Sequence, residues 1–359
     1  MTAASEGVLA LFSTVGDALA NRPLGFGLRR ASLAARFASH RGLDDEAVAT
    51  AWVAGALADV GLLGIVVPPE ASDRLRLLAE ADAPLFGARF VASVAGLPPP
   101  TGDVIRWHRE YDDGTGIPDG LRWDGVPTEA AALGIVHAFL AAIDDPREPS
   151  SPGEALYAVI AESGRRYRVE LVRAFREFIA ATGTSWSDPL VPALAPLDED
   201  PLVIDLTDRL DARDSRTAGR SARRAQLADV LARRLDLDVA QAVRLARLVS
   251  LGRAAADADH DDFDPLSRFA RERRTQEARR AAAIAAAVPG FAADADHLAA
   301  SAAWYEDGGV EPLAGILGLA IAVEVLPPIE APRRVAAAAG SQFHPEVARA
   351  YLATLGAPT

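Results

Sequence analysis

LRRASLAARFASHRGLDDEAVATAWVAGALADVGLLGIVV, running from Leu28 to Val67, decides the fold class. Its apolar residues recur three and four positions apart, and Ala, Leu and Arg, all good helix formers, fill the positions between. Gly42 closes the first helical run. Asp44, Asp45 and Glu46 then place carboxylates at the positive N-terminal end of the next. Working outward, the same period returns along the chain and strict apolar/polar alternation is absent. The class is all-α.

Proline-rich breaks interrupt this pattern. GLPPPTG (Gly96–Gly102) reads as an internal loop, and DDPREPSSPGE (Asp144–Glu154) joins two helical blocks. SDPLVPALAPLDEDPLVIDL, beginning at Ser187, precedes a fresh amphipathic pattern and is the expected domain boundary, giving domains over 1–190 and 191–359. A chain of 359 residues, 50% hydrophobic, has enough apolar material for a core in each. Without cysteine there is no disulfide, thiolate zinc site, iron–sulfur cluster or cysteine nucleophile.

The amino-terminal stretch MTAASEGVLALFSTVGDALANR has neither a basic segment before its apolar residues nor a small-residue cleavage site, so a cytoplasmic location is expected. Leu313–Ile329 is apolar but shorter than the roughly 20 residues a membrane helix needs, and it carries Glu324 and a Pro-Pro end. A buried core helix is expected there, and no membrane partner. The net charge of −13 opposes direct nucleic-acid binding. Every basic side chain is Arg. The clusters Arg271–Arg274 and Arg279–Arg280 stand beside acidic residues, as on solvated helix faces.

The two halves echo each other. GLDDEAVATAWVAGALADVG parallels DLDVAQAVRLARLVSLG, and HREYDDG (His108–Gly114) parallels AAWYEDG (Ala302–Gly308). IVHAFLAA parallels LAIAVEVL, each after a proline, and SGRRYRVELVRAF parallels AGSQFHPEVARAYL. Matches in the same order along Ala-rich helices point to an internal duplication.

HREYDDGTGIPDGL followed by VPTEAA resembles the signature of the HD-GYP family, the all-helical metal-dependent phosphohydrolases that hydrolyse cyclic di-GMP. AGALADVGLLGI stands where that family has its Leu-His-Asp stretch, and TAGRSARRAQLADVLARRLDLD is similar to its opening Thr-Ala-Gly-His-Ser helix. The resemblance implies two tandem HD-domain-like helical bundles and, in the family's enzymes, two or three iron or manganese ions held by converging imidazoles and carboxylates. In the first half, Phe26, Ala58, Ala83 and Arg109 stand where it implies histidines, Ile117 replaces a tyrosine, and His137 stands at a late aspartate. Asp59, His108, Glu110, Asp113, Gly114, Gly116 and Pro118 survive. In the second half, Arg220, Val249, Ser250, Glu277, Ala302 and Ala303 occupy the implied ligand positions, and only Asp307 and Gly308 echo the signature.

These losses lead to the expectation of a degenerate HD-GYP fold with no catalytic residue, no metal and no cofactor. The vestigial site is expected at Asp59, His108, Arg109, Glu110, Asp113 and His137, with Arg109 filling the vacated cavity and pairing with Asp59, Glu110 or Asp113. The expected function is a non-catalytic regulatory or scaffolding protein of bacterial signalling, a pseudoenzyme acting through a protein partner or self-association. Two alternatives stand beside it. One is a cyclic di-GMP sensor holding a nucleotide ligand's phosphate with Arg106, Arg109 and Arg147. The other is a residual phosphodiesterase with metal on Asp59, His108 and His137. His40, His260, His297 and His344 lie in polar contexts without partner spacing. DADHDDFD (Asp257–Asp264) lacks the glycine and closing glutamate of a calcium loop. There is no Gly-rich phosphate loop with Lys, no Gly-x-Ser-x-Gly elbow and no His-Glu-x-x-His.

Overall fold

A computed structural model describes residues 3–66, 72, 74, 81–145, 148–254, 264 and 266–356. Among them every regular element is helical, and the only pairings of extended backbone are isolated bridges such as Asp113 with Arg122. The all-α class is the fold observed. The chain forms two compact units, Met1–Glu199 and Asp200–Thr359.

Unit 1 is built from α1 (Ala3–Leu19), α2 (Phe26–His40), α3 (Asp45–Leu57), α4 (Ala83–Ala92), α5 (Thr101–Trp107), α6 (Thr128–Ile143), α7 (Pro152–Ala161) and α8 (Val169–Thr182). Asp44 caps α3 by accepting from the Ala47 N–H, so the acidic start read in the sequence is a true cap. Phe12, Phe26, Leu33, Phe37, Trp52, Phe139, Phe175 and Phe178 form the core. The small residues of α2 and α3 let their backbones nearly touch: a Cβ on Gly55 would lie 2.7 Å from the Ala31 Cα.

The proline-rich segment after Ser187 belongs to unit 1. Ser32 exchanges hydrogen bonds with both the N–H and the carbonyl of Leu190, each 3.2 Å. Ser5 accepts from the Leu197 N–H at 2.8 Å. The observed division therefore falls at Glu199, beyond these anchors.

Unit 2 contains α9 (Glu199–Ala212), α10 (Arg220–Arg234), α11 (Val239–Leu248), α12 (Arg268–Ala286), α13 (Ala295–Ala300), α14 (Pro312–Val323), α15 (Ala331–Ala338) and α16 (Pro345–Thr354). Asp238 caps α11 and Ser267 caps α12. The apolar stretch from Leu313 forms the buried α14, with Ile316, Leu317 and Leu319 inaccessible. No helix among the described residues is long and apolar enough to cross a membrane.

The α2–α3 approach gives a prediction. Gly55→Ala must force backbone apart and should destabilise unit 1 by about 1–3 kcal/mol. Gly102→Ala, whose Cβ meets only the Ala88 carbonyl at 3.5 Å, should be neutral or stabilising by roughly 0.4–1 kcal/mol. Chemical denaturation of both variants measures the difference, and equal midpoints would refute the close-approach argument.

Candidate functional site

Unit 1 draws Asp59, His108 and His137 together around one buried arginine. Arg30 lies on the inner stripe of α2, at helical spacing from Phe26, Leu33 and Phe37, and is wholly inaccessible. A buried guanidinium has to find acceptors. Its Nε donates to the Gly55 carbonyl at 2.7 Å, near the end of α3. Its Nη1 donates to Asp59 Oδ2 at 2.8 Å and lies 3.0 Å from His137 Nδ1. Asp59 follows α3 and keeps 13% of its side chain exposed, so the cluster reaches solvent there.

Arg22, in the turn before α2, closes the other side. Its Nη2 lies 3.2 Å from His137 Nε2. Phe26, standing where the resemblance implies a histidine, offers its ring to both cations: the Arg22 and Arg30 guanidinium carbons lie 4.4 and 5.4 Å from its centroid. His108 follows α5, its ring centroid 5.8 Å from that of His137. Its Nδ1 meets the Ile105 carbonyl at 2.7 Å, which places the proton on Nδ1 and the lone pair on Nε2.

Charge and burial set the protonation states. Burial would raise the Asp59 carboxyl, but Arg30, with Arg22 behind it, outweighs it and holds Asp59 far below the usual carboxylate range. Burial, reinforced by Arg109 and Arg30, pushes His108 down to about 3. His137 is likewise driven well below the ordinary imidazole value by burial and Arg30. Asp17, whose oxygens accept from the N–H groups of Gly25 and Gly27 at the start of α2, is pushed up to about 7 by burial against the pull of Arg30.

Several residues singled out in the sequence have other roles. Arg30, rather than Arg109 as expected, is the guanidinium bonded to Asp59; Arg109 acts on the cluster as a neighbouring positive charge felt by His108 and Arg22. Glu110 organises the following loop, accepting from the N–H groups of Asp119, Gly120 and Leu121. Asp113 binds Thr115 and faces Arg165. Arg106 is held on the surface by Asp119, apart from the cluster. Arg147, His260 and residues 257–263 of the acidic run lie outside the described residues. His297 faces Glu311, and His344 caps α16. Of the arginine clusters, Arg271 pairs with Asp307 and lies over Trp304.

Unit 2 has its own buried charge centre. Arg224, on the inner stripe of α10, donates to the Ala246 carbonyl at 3.1 Å, to Glu324 at 3.3 Å and to Ser250. Ser250 donates onward to Asp211 at 2.7 Å, which Arg253 also binds at 2.9 Å. Arginines on apolar helix stripes, Arg30 and Arg224 alike, were the sequence signal for these centres that the motif comparison passed over.

No family model matches this chain, and no curated protein does. Among solved structures, the crystal structure of a cyclic GMP-AMP specific phosphodiesterase from V. cholerae, V-cGAP3, is similar over 99% of this chain and 98% of that one. The TM-score is 0.69 at 17% identity, a shared fold. The all-helical class read from the sequence stands.

The likeness corrects two expectations. The scaffold reading took ligand loss as loss of chemistry, yet the frame shared from end to end serves hydrolysis in V-cGAP3. The expectation of no cofactor rested on the same tally and falls with it. The donor set itself gives a mixed fit. His108 Nε2, buried and without a partner among the described residues, suits an ion. Arg30 does not, because its positive charge already takes Asp59 and His137. Among the described residues no group of three or more metal-capable side chains is placed to hold an ion.

Two predictions follow from these charges. Arg30→Met leaves the Asp59 carboxylate without its partner and should cost about 3–5 kcal/mol, most of it recovered by adding Asp59→Asn; denaturation of the two variants tests this. For pH, the folded value of His108 lies below the unfolded one near 6.5, so its contribution is complete above 6.5 and is lost as pH falls toward about 3. Asp17 runs the other way: its contribution is complete below 3.8 and is lost as pH rises toward 7. His108→Gln should therefore lose less stability than the parent between pH 6.5 and 4. Parallel pH profiles would contradict this.

Proposed function

We propose that this chain acts on a cyclic dinucleotide, hydrolysing a phosphodiester bond at the Asp59–His108–His137 cluster of unit 1. The observation that carries the reading is the end-to-end likeness to a cyclic GMP-AMP specific phosphodiesterase. The cluster supports it chemically. Arg22, Arg30 and Arg109 set three fixed positive charges against the Asp59 carboxylate, and such an excess favours a phosphodiester anion and the charge developing on its oxygens during hydrolysis. The low value of His108 makes it a poor proton acceptor near neutral pH, so its role is to orient a hydroxyl through Nε2.

We further read the two units as copies of one HD-type module. In unit 1 a Cβ on Gly134 would meet the His108 carbonyl at 2.7 Å; in unit 2 one on Gly318 would meet the Ser301 carbonyl at 2.8 Å. Gly164 bonds to the Tyr167 carbonyl as Gly340 bonds to that of Phe343. Asp17 accepts from the N–H of Gly27, and Asp211 from that of Ser221, ahead of Arg30 and Arg224 respectively. On this register Ser301, not Ala302, stands opposite His108. The unit 2 centre is then the same position with its donors replaced by a closed network of arginines and carboxylates.

A second reading, retention of a cyclic dinucleotide without turnover, is favoured by the bonds from Arg30 to Asp59 and His137. Incubation of the purified chain with cyclic GMP-AMP and with cyclic di-GMP, each with manganese, distinguishes the two. Appearance of linear dinucleotide, reduced at least tenfold by Asp59→Asn, is expected. Calorimetric binding without product would favour the second reading, and neither heat nor product would refute both.

A further inference from the structure

The hydrogen-bonding groups of the unit 1 cluster do not balance. His137 presents both ring nitrogens to guanidinium groups, Nδ1 to Arg30 and Nε2 to Arg22. Arginine only donates, and a neutral imidazole has one accepting nitrogen, so one of these contacts sets donor against donor. Arg30 Nη2 and Arg22 Nε are both buried and find no acceptor among the described residues. Each such donor is destabilising if left unsatisfied. On the opposite account, His108 Nε2 is a buried acceptor that finds no donor among the described residues.

The group that would complete this cluster carries several anionic oxygens and one O–H. A phosphodiester has acceptors alone. A phosphate monoester has both as its monoanion, the form it holds below a second pKa of about 6, and inorganic phosphate keeps one O–H through neutral pH. We propose that the cluster of Arg22, Arg30, His108 and His137 is a phosphate-monoester site. Its oxyanions take the spare donors of Arg22 and Arg30, and its O–H donates to His108 Nε2. Arg22, half-buried and at the chain turn before α2, moves off His137 to admit it. Such a ligand is the terminal phosphate of an opened dinucleotide, so the chain would hold its product more tightly than its substrate. The inference rests on unit 1 being the ligand site; it is independent of turnover.

Titration calorimetry with inorganic phosphate and with sulfate, in the absence of nucleotide and metal, tests it. Sulfate has the same shape and no proton near neutral pH. Phosphate should bind at least tenfold more tightly than sulfate, and Arg22→Gln should weaken phosphate at least tenfold, with its fold checked by circular dichroism. Equal affinity for the two anions on the unaltered chain, or no phosphate binding at millimolar concentration, would overturn the proposal. The anion comparison needs no variant, so it decides even if Arg22→Gln fails to fold. Failure of the dinucleotide assay would leave this result standing, and the reverse also holds.

Discussion

Arg30 has to be satisfied inside the protein, and much of unit 1 is arranged around that requirement. A guanidinium with no access to water is tolerated only where carbonyls, carboxylates and lone pairs converge on it. Gly55 supplies the carbonyl, Asp59 the carboxylate and His137 the ring nitrogen, from the end of α3, the residues after it, and α6. The cation thus fixes how three helices meet and holds Asp59 ionised. Burial, with that charge beside it, keeps both nearby histidines neutral.

The close helix packing is what brings those partners within reach. Gly55 and Ala31 let α2 and α3 approach until their backbones touch, which places the Gly55 carbonyl within bonding distance of the arginine one residue before Ala31. Larger residues there would hold the two helices apart and leave the Nε–H without an acceptor. Unit 2 solves the same problem with different groups: Ala246 gives the carbonyl, while Ser250, Asp211 and Glu324 stand in for the carboxylate and the imidazole. There the donors of Arg224 are matched by acceptors among the described residues. In unit 1 they are not: Arg30 Nη2 and Arg22 Nε find no acceptor among the described residues.

The loop after His108 is folded by the side chains of its own segment. Glu110 accepts from three successive N–H groups of the Asp119–Leu121 segment, and Asp119 in turn binds Arg106 and the Trp107 indole. These bonds shape the Asp119–Leu121 segment, and Asp113 shapes Asp-Gly-Thr-Gly by accepting from the N–H and hydroxyl of Thr115. The residues that made HREYDDGTGIPDGL recognisable are therefore largely the ones that fold it.

Local chemistry made part of this protein legible from its residues. Periodicity announced the helices, Asp44 announced a cap, and the apolar stretch from Leu313 announced a buried core element, because each depends only on neighbours along the chain. Asp59, His108 and His137 were also legible as a group, through their order in a motif. The identity of the cation beside them was not. Arg109, adjacent in sequence to His108, was the natural choice, whereas Arg30 is brought in from a different helix by the α2–α3 approach. Which arginine neutralises a buried carboxylate depends on helix crossing and backbone distance, quantities that tertiary packing sets and that no spacing along the chain encodes.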